Sequence, residues 1–78
     1  MKKIKSSVLS IGNNNFVKVE IKGNKNEGLF AFYVNSKRVA VSVSLSKIKS
    51  MYDSWLFASE EQRQHAKEVL NSKSFVEV

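Results

Sequence analysis

Residues 28–45 read GLFAFYVNSKRVAVSVSL, and this stretch decides the fold. It predicts a β-hairpin. The first arm, residues 29–34, is apolar on both faces, with Phe30, Phe32 and Val34 on one side and Leu29, Ala31 and Tyr33 on the other. Asn35-Ser36-Lys37 supplies the turn. The second arm, residues 38–45, alternates: Val39, Val41, Val43 and Leu45 are expected inward, and Ala40, Ser42 and Ser44 outward. Its β-branched side chains favour strand over helix. A small sheet keeps one dry face, so a strand apolar on both faces requires a second cover or a partner.

Upstream, residues 16–22 alternate cleanly, Val17, Val19 and Ile21 against Lys18, Glu20 and Lys22, the pattern of a half-buried strand. Residues 3–11 form a further strand with broken alternation. Ile4 and Val8 fall on one face and Leu9 and Ile11 on the other, so a bulge at Ser6-Ser7 is expected to exchange the faces. Gly12 with Asn13, Asn14 and Asn15 makes the first turn, since Gly and Asn tolerate positive φ. Residues 23–28, GNKNEG, make the second. That loop lacks the spacing and the strand–loop–helix context of a phosphate loop, and lacks the carboxylates of a calcium loop.

After Leu45 the apolar period changes from two to about 3.6. Ile48, Met51, Tyr52, Trp55 and Leu56 form one helical stripe, with Ser46 as the expected N-cap. Ser59-Glu60-Glu61-Gln62 matches a capping box opening a second helix over residues 60–71, whose apolar side is Ala66, Val69 and Leu70. Residues 74–78, SFVEV, are expected as a short edge strand or a packed tail. The fold class is therefore α+β: an antiparallel meander of three to four strands followed by two helices packed on one face, in a single domain spanning residues 1–78.

A chain of 78 residues buries only about 60–65% of its unfolded surface, so self-association is a natural source of added stability. Cysteine is absent, which removes disulfides and thiolate metal sites and fits a cytoplasmic setting. No apolar run approaches the roughly 20 residues of a membrane span, and the basic start MKKIKSSV lacks the hydrophobic segment of a signal peptide. Net charge is +6 and uneven: residues 1–25 carry six lysines against one glutamate, whereas residues 51–78 carry three basic groups against five acidic ones. The sheet half is the side that attracts polyanions.

Candidate chemistry is sparse, and the expectation is a protein that is not an enzyme and uses no cofactor or metal. His65 is the only histidine, and no nucleophile is marked beside it. Glu60 and Glu61 are adjacent, hence on different helix faces, and suit the positive end of the second helix rather than paired acid–base work. Two binding readings follow. In the first, protein–protein contact through the sheet, with self-association, uses Leu29, Ala31, Tyr33, Ala40 and Ser42, and Phe57 as an anchor if exposed. In the second, Lys3, Lys5, Lys18, Lys22, Lys25, Lys37 and Arg38 meet nucleic-acid phosphates, with Tyr33 and Phe16 available for stacking. The presence of only two arginines argues for weak specificity in that case. The lysine- and asparagine-rich composition suits a small accessory or inhibitor protein of a bacterium or phage.

Overall fold

The computed structural model describes the backbone of residues 2–24 and 26–72 and the side chains of residues 2–24 and 26–70. Four strands, β1 (Lys2–Gly12), β2 (Asn15–Asn24), β3 (Leu29–Val34) and β4 (Lys37–Ser42), are followed by α1 (Leu45–Phe57) and α2 (Glu60–Ser72). The strands form one antiparallel sheet in the order β1-β2-β3-β4, a simple meander, and both helices pack on one of its faces. The expected tail strand at 74–78 lies outside the described residues.

Two tight turns set the register. Gly12 pairs with Asn15 across Asn13 and Asn14, which have φ of 53° and 60°. Val34 pairs with Lys37 across Asn35 and Ser36, at 50° and 68°. Two positive-φ residues in a two-residue loop match the right-handed twist of the flanking strands. Asn35 also extends the β2–β3 ladder: its N–H donates to Lys18 O at 2.8 Å, and Lys18 N–H donates to its Oδ1 at 3.0 Å.

The core is a layer of Leu9, Ile11, Val17, Val19, Ile21, Phe32 and Val34 from the sheet, closed by Ile48 and Tyr52 of α1. Phe30, Val39, Ala40, Leu45, Trp55, Leu56 and Leu70 pack around it. Phe30 lies between small partners, Gly23 on β2 and Ser42 on β4. A Cβ on Gly23 would stand 2.7 Å from Ile4 Cδ1 and 2.9 Å from Phe30 Cδ1. An alanine here would force the Ile4 and Phe30 side chains to shift, so the close approach favours glycine.

Two bulges change the expected facing. In β1 the register shifts between Lys3 and Lys5, not at Ser6-Ser7. Ile4 thereby joins Leu9 and Ile11 on the helix side, against Gly23, while Val8 stays on the far side. In β4 the shift falls between Phe32 and Tyr33: Tyr33 pairs with Arg38, Phe32 with Ala40, and Val39 is the extra residue. A bulge moves every later side chain to the opposite face. Ala40 and Ser42 therefore face the helices, and Val41, paired with Ala31, faces away. This reverses the expected inward placement of Val41 and Val43. The packing gives the reason: the rings of Phe32 and Phe30 fill the core opposite Ala40 and Ser42, where valines would overfill it.

The helices begin and end on side-chain bonds. Ser44, not Ser46, caps α1, its Oγ accepting from Lys47 N–H at 3.4 Å. At α2 the capping box forms in both directions: Gln62 N–H donates to Ser59 Oγ at 3.1 Å and Ser59 N–H to Gln62 Oε1 at 2.9 Å. Arg63 then binds three carbonyls, Trp55 O through Nε, Ser10 O through Nη1 and Leu56 O through Nη2, each at 2.9 Å. One guanidinium thus takes the orphan carbonyls at the end of α1, complements the negative end of its dipole, and fastens α2 to β1. The Ser7 hydroxyl bonds the Tyr52 hydroxyl, tying β1 to α1.

Candidate interaction surface

The pairing register lays out the face opposite the helices residue by residue. Running along β2, the row nearest the β1–β2 turn holds Phe16, whose partner Ser10, beside a register shift between Ser10 and Gly12, donates its hydroxyl to Glu60 of α2 instead, and the next row holds Val8 and Lys18. The central row holds Ser6, Glu20, Tyr33 and Arg38, and the one after it Lys3, Lys22, Ala31 and Val41. Asn24 and Leu29 finish the face, with Val43 just past the end of β4.

Two apolar corners result, separated by a charged band. Val8 (66% exposed) and Phe16 (60%) form the corner nearest the β1–β2 turn. Val41 (44%) and Val43 (75%) mark the diagonal corner, beside Leu29 and Ala31. Ala31, between Lys22 and Val41 on this face, is itself buried.

The band carries Lys3, Lys18, Lys22 and Arg38 against a single carboxylate, Glu20. Glu20 is only 3% exposed. Its two oxygens are each 3.7 Å from an ammonium, Lys3 on Oε2 and Lys18 on Oε1. Lys22 lies with Nζ 4.5 Å from the centroid of the Tyr33 ring, a cation–π contact. These contacts hold the long side chains down on the sheet. What remains is a low-relief surface with a formal excess of three positive charges.

The structure divides the residues singled out by sequence. Leu29, Ala31 and Tyr33 lie on the outer face together, whereas Ala40 and Ser42 lie on the helix side. Phe57, 87% exposed at the end of α1, belongs to the helix layer. Of the basic set, Lys3, Lys18, Lys22 and Arg38 share the outer face, and Lys37 is exposed at the β3–β4 turn. Lys5 is on the other side, its Nζ 5.6 Å from the centroid of the Tyr52 ring, and Lys25 is outside the described residues. Sequence reasoning missed Val41 and Val43 as surface residues. Their signal was a bulge, which strand alternation alone does not carry.

Among the described residues no three His, Cys, Asp or Glu side chains gather as a metal site, and His65 is exposed on α2. Among the same residues no helix is long and apolar enough to cross a membrane. No protein-family model matches the chain, and neither the curated proteins nor the solved structures contain a significant match to it.

Proposed function

We propose that this chain is a non-enzymatic interaction protein, of an accessory or inhibitor type, that docks the outer face of its sheet on an acidic protein surface. One observation carries the reading: Val8, Phe16, Val41 and Val43 are all substantially exposed on or beside the face opposite α1 and α2. Exposed apolar side chains at two corners of one face, with a charged band between them, offer area that a partner can bury. Burying them recovers about 25 cal/mol per Å² of apolar area. The cationic band adds selectivity for an acidic counterpart and accelerates encounter with it. The same band weighs against sheet-to-sheet pairing of two copies, which would bring excess positive charge against itself. A cytoplasmic setting fits the lack of cysteine.

The second reading uses the four cations of the band for nucleic acid. Its support is that Phe16 and Tyr33 share the face with them. However, Tyr33 sits beside Glu20, four residues along β2 from Phe16, a separation of about 13 Å at 3.3 Å per residue. That is too far for the two rings to hold consecutive stacked bases.

Fluorescence titrations separate the readings. The probes are an acidic peptide containing aromatic residues and a mixed oligonucleotide pool, each at low and moderate salt. Val41→Ser with Val43→Ser should weaken the peptide at least tenfold, as should Lys18→Glu with Lys22→Glu. Peptide affinity unchanged by the valine pair overturns the proposal. Tighter oligonucleotide binding with steep salt dependence transfers the face to nucleic acid.

A further inference from the structure

The helix layer carries a feature that the sheet face does not explain. α1 packs on β2, β3 and β4, and α2 packs on β1, so the two helices diverge. Between them runs a groove with two connected hollows. The inner one, about 330 Å³, is floored by Phe32 and Val39 and walled by Met51 and Trp55 on one side and Val69 and Leu70 on the other. The outer one, about 420 Å³, lies against Phe57, Ala58, Gln62 and Arg63, and shares Ser54, Trp55 and Ala66 with the first. Hollows of this size take several side chains. Phe57 stands at the mouth with 87% of its surface in solvent.

We infer that this groove is occupied by a second copy of the chain, related by a two-fold axis, with Phe57 of each copy inserted into the groove of the other. An exposed aromatic knob beside an apolar hollow on one surface is self-complementary under a two-fold axis. Charge selects the same partner. α1 carries Lys47, Lys49 and Asp53, an excess of one positive charge; α2, with Glu60, Glu61, Arg63, Lys67 and Glu68, has an excess of one negative charge. A two-fold contact that lays α1 on the partner's α2 matches opposite signs twice. The sheet face offers no such match to a copy of itself. The dimer also covers Met51, an exposed residue of the α1 stripe, and leaves both sheet faces outward, so a partner with repeated acidic sites is bound with avidity. This inference stands independently of what the sheet face binds.

The test is sizing with light scattering across a dilution series, read together with the emission of Trp55, the only tryptophan. The expected result is a particle of twice the 8.8 kDa chain mass, whose dissociation on dilution shifts Trp55 emission to the red. Phe57→Lys should raise the dissociation constant at least tenfold while keeping the wild-type circular dichroism, because Phe57 makes little contact within its own chain. Lys18→Glu with Lys22→Glu should remain dimeric. A wild-type chain that is monomeric at its highest soluble concentration overturns the inference. So does a dimer that survives Phe57→Lys, or one that dissociates without moving Trp55 emission.

Discussion

Replacing Arg63 with alanine should be among the most damaging single changes outside the core. Its guanidinium makes three bonds of 2.9 Å to the carbonyls of Ser10, Trp55 and Leu56. A hydrogen bond from a charged donor contributes about 1.5–3 kcal/mol when buried. Arg63 is half-buried, and water re-solvates part of what it leaves, so about 1 kcal/mol per bond is the appropriate scale, roughly 3 kcal/mol in total. A domain of this length has about 4–12 kcal/mol of stability at 0.05–0.15 kcal/mol per residue. The loss corresponds to a fall in Tm of about 12–24 °C, at 4–8 °C per kcal/mol. Arg63→Lys should recover at most one bond and lose about 2 kcal/mol, because an ammonium cannot span three divergent carbonyls. Urea unfolding gives the global figure, and amide exchange gives its location. Protection in α2 should fall by about a hundredfold, at 1.4 kcal/mol per factor of ten, if undocking of α2 precedes global unfolding. A loss below about 0.5 kcal/mol in Arg63→Ala, the level of an ordinary surface change, would refute the role of Arg63 as the fastening of α2.

Three further outcomes follow from local geometry. Ser36→Gly should stabilise the fold by about 0.5–1 kcal/mol in denaturant titrations, because Ser36 holds a φ of 68° that glycine adopts without a Cβ penalty. Gly23→Ala should cost about 1 kcal/mol, overpacking against Phe30 and Ile4 outweighing the entropy gained in the unfolded chain; adding Ile4→Ala should relieve part of that clash, a coupling read by a double-mutant cycle. Ser44→Ala should cost about 1 kcal/mol and Ser46→Ala less than half of that, which thermal unfolding of the two variants distinguishes.

The meander, the order of elements and the helix-side layer were legible because their signals are local. Val17, Val19 and Ile21 alternate without interruption, Asn13-Asn14 and Asn35-Ser36 provide turn residues, and Ser59 with Gln62 writes its capping box directly into the chain. The outer face was legible only in part. Of the basic set, Lys3, Lys18, Lys22 and Arg38 share the outer face, whereas Lys5 lies on the helix side, and Val41 and Ala40 exchanged sides. That exchange depends on how the rings of Phe30 and Phe32 fill the core across the strand pair, a tertiary demand that no window of β4 contains. The same holds for Arg63, whose three acceptors come from β1 and the end of α1. The first helix moved its start by two residues for a simpler reason: Ser44 and Ser46 are both good caps, and β4 ends at Ser42, early enough for the first of them to serve.

The central claim is that the sheet face opposite the two helices is where a partner docks, and chemical-shift mapping tests it most directly. The labelled protein is titrated with the acidic, aromatic-containing peptide at moderate salt. The account predicts shifts concentrated at Val8, Phe16, Lys18, Lys22, Val41 and Val43, and their loss in the Lys18→Glu, Lys22→Glu variant. Shifts confined to α1 and α2, or none up to the solubility limit of the peptide, would contradict it.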